Sequence, residues 1–358
     1  MRTKAESLLS SLTNAHSVPG HEGEVRAIFK SELEGLGTFS SDRAGSLFCE
    51  KGGEGPRIAL AGHMDEIGFL IQNITYDGYL QFVNVGGWWT HTLLSQRVSI
   101  KNRNGEKILG VVGSSPPHFL SGDARKQVLD LSNLYIDIGA VSRDEVMADF
   151  GIRIGDAITP VSDFTPMHKD GIFMAKAFDN RVGMAGVIQT TQELKDETLP
   201  NQLIATATVQ EEVGLRGAKT AANFIKPDCA IVLEGPPADD TYGSNPADAQ
   251  GKLGNGVQIR LFDPTAITNP GLADFVQDVA SASGIRHQVT VRRSGGTDAG
   301  SFHLANSGIP SIVLGTPARY IHSHNGIINI EDYLAMVELC KAILKNLDQS
   351  TFDGFVNF

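Results

Sequence analysis

The sequence predicts an α/β fold: a mostly parallel sheet with helices on both faces, plus a small all-β domain inserted into it. Three observations carry that prediction. Helix-like and strand-like segments alternate from Phe178 onward, which implies parallel strands joined by helices. Between about Gly68 and Asp163 helical periodicity nearly vanishes, and short apolar runs are separated by turn residues. Two buried-strand candidates stop abruptly at polar residues, one at Gly62-His63-Met64-Asp65-Glu66 and one at Gln210-Glu211-Glu212. In open α/β sheets ligands gather outside the carboxyl ends of strands, so chemistry is expected there.

Composition sets the outer limits. A chain of 358 residues with 41% hydrophobic content and 39 glycines suits one large domain or two smaller ones. The formal net charge of −11 argues against the cationic surface that nucleic acid or anionic lipid requires, so neither is expected as a partner. The same acidity fits a soluble protein, and it also fits a concentrated carboxylate site whose charge a bound cation would offset. Cys49, Cys229 and Cys340 are few, odd in number and widely spaced, which indicates neither a disulfide framework nor a cysteine-based zinc site. A reducing, cytoplasmic compartment is the expected home. No run approaches the ~20 apolar residues of a membrane span, and the first residues lack an apolar segment of signal-peptide length.

In chain order, residues 4–14 read as a short amphipathic helix, and Val25, Ile28, Phe29, Leu33 and Leu36 recur on one face of a second. Residues 58–61 form a buried-strand candidate that carries His63 and Asp65 at its end. The β-rich stretch offers strands at 69–74, 79–85, 97–101, 107–113 and 134–138. Asp77-Gly78 and Asn104-Gly105 supply pairs suited to tight hairpins. Alternation then resumes: helix from about 182 to 194, strand 203–210, helix near 218–224, strand 229–234 and strand 257–261. Helix 272–283, strand 287–292, helix 299–307, strand 311–314 and a final helix 332–347 follow.

Five candidate metal ligands occupy comparable places: His63, Asp179, Glu212, Glu234 and one histidine of Ile321-His322-Ser323-His324. Imidazole and carboxylate donors without thiolate suit zinc, cobalt or manganese, and two metals need a bridging group such as an aspartate. Singly, each residue has a plainer reading. Asp179 is placed as the N-cap or a first-turn acid of a helix, Glu211-Glu212 reads as a solvated loop, and Glu234 and the two histidines read as structural side chains. His63 has in Asp65 a carboxylate able to hold its ring. Their joint occurrence around one sheet edge favours a site. Adjacent side chains on an extended strand tip point in opposite directions, so Glu212 is assigned to ligation and Glu211 to accepting a proton.

With these segments in view, the chain resembles the M42 family of metallo-aminopeptidases, the glutamyl and tetrahedral aminopeptidase group, some members of which are labelled endoglucanases. The resemblance rests on GHMDEIGF at 62–69, AFDNRVG at 177–183, VQEEVGLRGA at 209–218, LEGPPADD at 233–240 and GGTDAGSFHLANSGIPSIVLGTPARYIHSH at 295–324. It spans nearly the whole chain. It implies a zinc-exopeptidase-like catalytic α/β domain of residues 1–67 and 164–358, and an inserted β-rich dimerisation domain of residues 68–163. It further implies two divalent metal ions per subunit, zinc or cobalt, with manganese also compatible.

Carried over residue by residue, the resemblance makes Asp179 the bridge between the metals, with His63 and Glu234 completing one site and Glu212 and His322 the other. Glu211 becomes the general base acting on a metal-bridging water, and Asp65 orients His63. His322 takes precedence over His324 because it fills the histidine of the family's Arg-Tyr-Ile-His-Ser motif. Position 234 is often aspartate in the family, and here a longer glutamate stands there. The expected function is release of the N-terminal residue from peptides by a homo-oligomer, dimers assembling to a dodecamer. Two alternatives are a glycoside hydrolase of the endoglucanase kind, which uses two carboxylates without metal, and a catalytically inactive assembly protein of the same fold. Gly295-Gly296-Thr297-Asp298 is expected to wall the cleft or to cap the helix that follows. Arg319 and Arg216 are candidates for recognising acidic substrates, or for pairing with nearby carboxylates.

Overall fold

A strand covered on both faces needs apolar or small residues throughout, not at every second place, and four segments meet that demand. Arg57–His63, Gln202–Thr208, Cys229–Glu234 and Ser311–Gly315 are buried at every position except the first residue of the first two. The computed structural model describes residues 1–357. In chain order, α1 (Arg2–Asn14) and α2 (Gly23–Glu32) precede β1 (Thr38–Ser41), β2 (Leu47–Lys51) and β3 (Arg57–His63). Next come β4 (Gly68–Ile74), β5 (Leu80–Val85), β6 (Arg97–Lys101), β7 (Lys107–Gly113), β8 (Tyr135–Asp137), α3 (Arg143–Ala148) and β9 (Ala157–Pro160). β10 (Thr165–Pro166) and β11 (Ile172–Ala175) lead to α4 (Phe178–Glu193), β12 (Gln202–Thr208), α5 (Arg216–Ile225) and β13 (Cys229–Glu234). β14 (Val257–Asp263), β15 (Ala266–Ile267), α6 (Pro270–Ala282), β16 (His287–Val291), α7 (Asp298–His303) and β17 (Ser311–Gly315) follow. β18 (Ala318–Arg319), β19 (Gly326–Asn329), α8 (Ile330–Asn346) and α9 (Gln349–Val356) come last.

Among the described residues, the main sheet has nine strands in the order β1-β2-β12-β3-β13-β17-β14-β15, with β16 also on β14. Its centre is parallel, through β12–β3, β3–β13 and β13–β17, and β14–β16 is parallel as well. β1–β2, β2–β12, β14–β17 and β14–β15 are antiparallel. The sheet is therefore mixed, where the sequence suggested mostly parallel pairing. One reason is connectivity: no helix lies between β13 and β14 to carry the chain back to the starting edge, so β14 runs in reverse.

Alternate residues of the central strands feed two cores. Ile58, Leu60, Leu203, Ile231 and Leu233 pack with α1, α4, α6 and α8 on one face, through residues such as Leu9, Val182, Leu272 and Tyr333. Ala59, Ala61, Ile204 and Val232 pack on the other face with Ala218, Ala222 and Phe302 of α5 and α7. At the first face α4 lies almost on the backbone. A Cβ at Gly183 would stand 2.3 Å from the Leu233 carbonyl oxygen, and one at Gly62 would stand 3.0 Å from the Gly183 carbonyl carbon.

The strands from β4 to β9 close into an antiparallel barrel in the order β4-β5-β8-β7-β6-β9. Phe69, Ile71, Phe82, Val98, Ile100, Val112, Ile136 and Ile158 fill it. Closure depends on β9, which pairs with both β4 and β6; its four residues carry too little pattern to stand out in the sequence. A third, four-stranded sheet, β10-β11-β19-β18, joins two distant parts of the chain. β11 runs into the segment holding Asp179, and the turn between β18 and β19 holds His322. No helix among the described residues is long and apolar enough to cross a membrane.

Barrel and sheet meet at Glu24 and His16. Lys101 and Lys107 of the barrel donate to the Glu24 carboxylate at 2.7 and 3.0 Å, and the His16 backbone N–H donates to it at 3.0 Å. Burial, aided by the charges of Lys107 and Lys176, pulls the His16 imidazole down to about 3. An unfolded histidine titrates near 6.5, so the neutral ring is accepted by the fold and the charged ring is not. The contribution is complete above about pH 6.5 and is lost as pH falls toward 3. Thermal melts between pH 7 and 4 are expected to show a shallower decline for His16→Gln than for the parent chain; equal slopes would show that His16 stays uncoupled from folding.

Candidate metal centre

The three adjacent strands β12, β3 and β13 end together, and each end delivers a polar side chain. His63 is the last residue of β3 and Glu234 the last of β13; both are buried. β12 ends at Thr208, which lies in register with His63. Gln210 then takes a left-handed conformation (φ 56°), and Glu211 and Glu212 follow. Gly217 lets α5 close over this turn, since a Cβ there would stand 2.2 Å from the Val209 carbonyl oxygen.

Asp179 sits at the start of α4 in non-helical backbone, and no side chain caps that helix end. The N-cap reading of Asp179 therefore has no contact behind it. Asn180 serves the backbone instead, accepting from the Gly183 N–H at 3.0 Å and donating to the Leu233 carbonyl at 2.8 Å.

The Asp179 carboxylate faces two ways. Its Oδ1 lies 3.3 Å from His63 Nε2, which in turn lies 3.6 Å from Glu234 Oε2. Its Oδ2 lies 3.4 Å from His322 Nε2, which lies 3.5 Å from Glu212 Oε1. Glu211 Oε2 is 3.9 Å from His63 Nε2. His324 stays outside this group: it is buried, its ring packs 5.5 Å from that of Trp88, and burial lowers its pKa to about 4.

These contacts exceed the usual hydrogen-bond range. Donors around a tetrahedral zinc with bonds of about 2.0–2.1 Å stand about 3.3–3.5 Å apart, close to four of the five imidazole–carboxylate separations above; the fifth, from Glu211, is longer. Donor atoms of His63, Asp179 and Glu212 lie within 4.8 Å of one another, as do those of His63, Glu211 and Glu234. Glu234 Oε1 is buried without a hydrogen-bond partner.

Charge points the same way. Burial, with the Asp179 charge adding, pushes Glu212 up to about 8, and burial also raises Glu234. Burial, with the Glu234 and Asp298 charges, raises Glu211 well above the carboxylate range. Burial opposes protonation of the imidazoles, but surrounding carboxylates still raise His63 strongly and His322 to about 9. Crowded buried carboxylates of this kind suit divalent cations, so the donor set fits a metal centre.

Two further groups hold these residues. The Asp65 carboxylate accepts the backbone N–H groups of Glu211 and Glu212, each at 3.0 Å. Its backbone oxygen lies 3.1 Å from His63 Nδ1, nearer than its carboxylate at 3.6 Å. Beneath it, Arg181 donates to the Met64 carbonyl at 2.5 Å and to Glu66 at 2.9 Å, and Lys176 donates to Glu66 at 2.6 Å. All three charged side chains are buried. The sequence reading passed over this triad; a lone arginine among the apolar residues of α4 was its available signal.

A cleft of about 510 Å³ opens above the carboxylates, with Arg260, Thr265, Arg292 and residues 294–297 in its wall. Arg260 pairs with Asp263 at 3.2 Å and Arg292 with Asp239 at 2.7 Å, while the Nε of each has no hydrogen bond. Neither arginine was singled out in the sequence. Arg319 is bound on both arms by Asp240, at 2.7 and 2.6 Å, and Arg216 does not line the cleft. Asp298 is buried below, where it accepts from Thr208 Oγ1 at 2.5 Å, while Thr297 caps α7.

The family model of M42 glutamyl aminopeptidase matches residues 45–339. The chain belongs to the M42 glutamyl aminopeptidase family. Its enzyme class is thereby that of an aminopeptidase. The glutamyl aminopeptidase of Lactococcus lactis subsp. cremoris is 39% identical over 355 residues, covering 98% of each chain. The crystal structure of a TET aminopeptidase from a marine sediment archaeon of the Thaumarchaeota superposes with a TM-score of 0.95 at 39% identity, over 99% of this chain and 100% of that one. The TET1 peptidase of Pyrococcus horikoshii, which can assemble into a tetrahedron or a large octahedral shell, gives a TM-score of 0.85 at 32% identity, over 96% and 100%.

For this M42 chain, Asp65→Ala is expected to weaken binding of a divalent metal ion by about 10–100-fold, the usual effect of removing a group that orients ligands. Metal titration followed by calorimetry reads it; unchanged affinity would remove Asp65 from the support of the site.

Proposed function

We propose that this M42 chain is a dinuclear metal-dependent aminopeptidase that hydrolyses the N-terminal residue from peptides, with Glu211 as general base. His63, Asp179 and Glu234 hold one cation, and Asp179, Glu212 and His322 hold the other. Zinc or cobalt suits the donors, and manganese is compatible. The observation that carries the proposal is Asp179, whose two oxygens face separate imidazole–carboxylate pairs at 3.3 and 3.4 Å.

When bound, the cations supply Lewis acidity, polarising the scissile carbonyl and lowering the pKa of water. Glu211 takes the proton from the attacking water and returns it to the leaving amine. Asp65 fixes the backbone of Glu211 and Glu212, so base and ligand keep their separate directions. The carboxylate-rich floor is the chemical match for a free α-amine, which favours a first residue over an internal one. Across the cleft, Arg260 and Arg292 present cationic groups to its side chain, and acidic first residues fit them. The name of the Lactococcus relative supports that preference. A glycosidase reading leaves His63 and His322 without a task.

The proposal extends to organisation. Residues 1–67 and 164–358 form the catalytic domain, of which Phe358 lies outside the described residues, and residues 68–163 form the dimerisation domain. The barrel closes through a single β5–β8 pair, Leu80 with Ile136, which leaves the rest of β5 without a second strand neighbour and available to a dimer contact. Assembly of dimers to a dodecamer is supported by the TET1 relative. A cytoplasmic home is supported by three buried free cysteines, and cell fractionation tests it.

Chelation is expected to abolish hydrolysis of an aminoacyl-anilide panel, and cobalt or zinc to restore it with Glu and Asp anilides leading. Full activity of metal-free protein overturns the reading, and a lead by Leu or Lys overturns the acidic preference. Glu211→Gln should lower kcat by about 10²–10⁴-fold while elemental analysis still finds two metals per subunit; loss of metal would make Glu211 a ligand. Light scattering should give the mass of twelve subunits, and a monomer would refute the assembly.

A further inference from the structure

The catalytic cleft does not end at His322. A second cavity of about 720 Å³ adjoins it and shares Gly87, Ile321 and His322 with it. A third hollow beside Asp179 and His322 holds only about 10 Å³, too little for a side chain. A peptide whose first residue fills the cleft under Arg260 and Arg292 therefore has the second cavity as its route beyond the ligands.

That cavity differs in chemistry from the cleft. No aspartate, glutamate, lysine or arginine lines it; its walls are Trp88, Trp89 and Tyr320, with Thr92, Gln96 and His324. Trp88 is fixed in the barrel, stacked 4.8 Å from Phe69 with its indole N–H donated to the Gly68 carbonyl at 3.2 Å. Trp89 and Tyr320 remain 64% and 54% exposed, the Trp89 ring meeting that of His91 at 4.5 Å in a T-shaped contact, so both rings keep surface open to a ligand. Tyr320 and His322 both hold left-handed backbone (φ 58° and 56°), a conformation that L-residues with side chains adopt at a cost. The same short turn thus presents a metal-ligand candidate to one cavity and an aromatic ring to the other.

We propose that this groove is the subsite for the substrate residue that follows the scissile bond, and that it takes an aromatic or large apolar side chain. The inference rests on the aminopeptidase reading. Stacking on Trp89 and Tyr320 then acts on the leaving portion of the peptide and appears in kcat/KM.

Amidated dipeptides beginning with Glu and ending in Gly, Phe or Lys provide the test. The parent enzyme is expected to favour Phe over Gly by about tenfold. Trp89→Ala and Tyr320→Ala should each bring that ratio toward one. Trp89→Glu should instead raise the Lys-over-Gly ratio. A parent ratio near one, or a ratio that neither alanine variant changes, overturns the subsite. A fall in particle mass with the ratio intact also overturns it, because the exposed rings would then serve contact between copies of the chain. Absence of hydrolysis for every dipeptide, with metal present, refutes the acidic preference if Leu or Lys anilides are still cleaved, and the aminopeptidase reading itself if no anilide is.

Discussion

The site depends on one carboxylate that is neither metal-ligand candidate nor base. Asp65 accepts two adjacent backbone N–H groups, those of Glu211 and Glu212, and so ties the tip of β12 to the tip of β3. The tie holds the two neighbouring glutamates in place against the repulsion of each other and of the buried carboxylates around them, Asp65 included. Asp65 is itself held by its backbone: Arg181 donates to the carbonyls of Met64 and Asp65, while Glu66 accepts from Arg181 and Lys176. Removing one partner from such a buried network leaves an uncompensated charge, which costs more than an exposed pair ever contributes. Negative charge at the sheet edge therefore rests on a cationic foundation one layer below.

The elements legible in the sequence are those with length and period. Residues 97–101, 107–113 and 229–234 are strands with the expected bounds, because each is an apolar run between turn residues. α8 extends at its N-terminus beyond the helix read from periodicity, where Asn329 caps it; α4 becomes regular only after the non-helical Asp179 and Asn180, close to the start that periodicity indicates. The small sheet was not legible. Its strands have two to four residues, and the pairing that joins its two halves, β11 with β19, spans about 150 positions, so no local pattern announces the sheet. α9 was missed as well; Asp348 caps it and Phe352 and Phe355 anchor it, but eight residues make a weak periodic signal.

At the site, strand-end polar residues were legible because polarity interrupts apolar runs there. Arg260 and Arg292 were not, since each lies in a segment that reads as ordinary strand, and only tertiary folding brings β14 and the end of β16 to the same cleft. Trp88 and Trp89 face a similar problem. They belong to the barrel stretch by sequence, yet they border a turn more than 200 residues later. Local signals identify what a strand tip carries; they do not say which loops will stand opposite.

The chain crosses between main sheet and barrel at two places, and both are beside candidate ligands. It leaves the sheet at His63 and enters the barrel at Gly68; it leaves the barrel at Pro160 and returns through β11 to Asp179. The barrel is in this sense a lever whose fulcrum lies among the donors. His63 stands on the covalent path out of the main sheet and Asp179 on the path back, while Lys101 and Lys107 brace the barrel against Glu24. Whatever fixes the barrel's position thereby also fixes the ground on which those two donors stand.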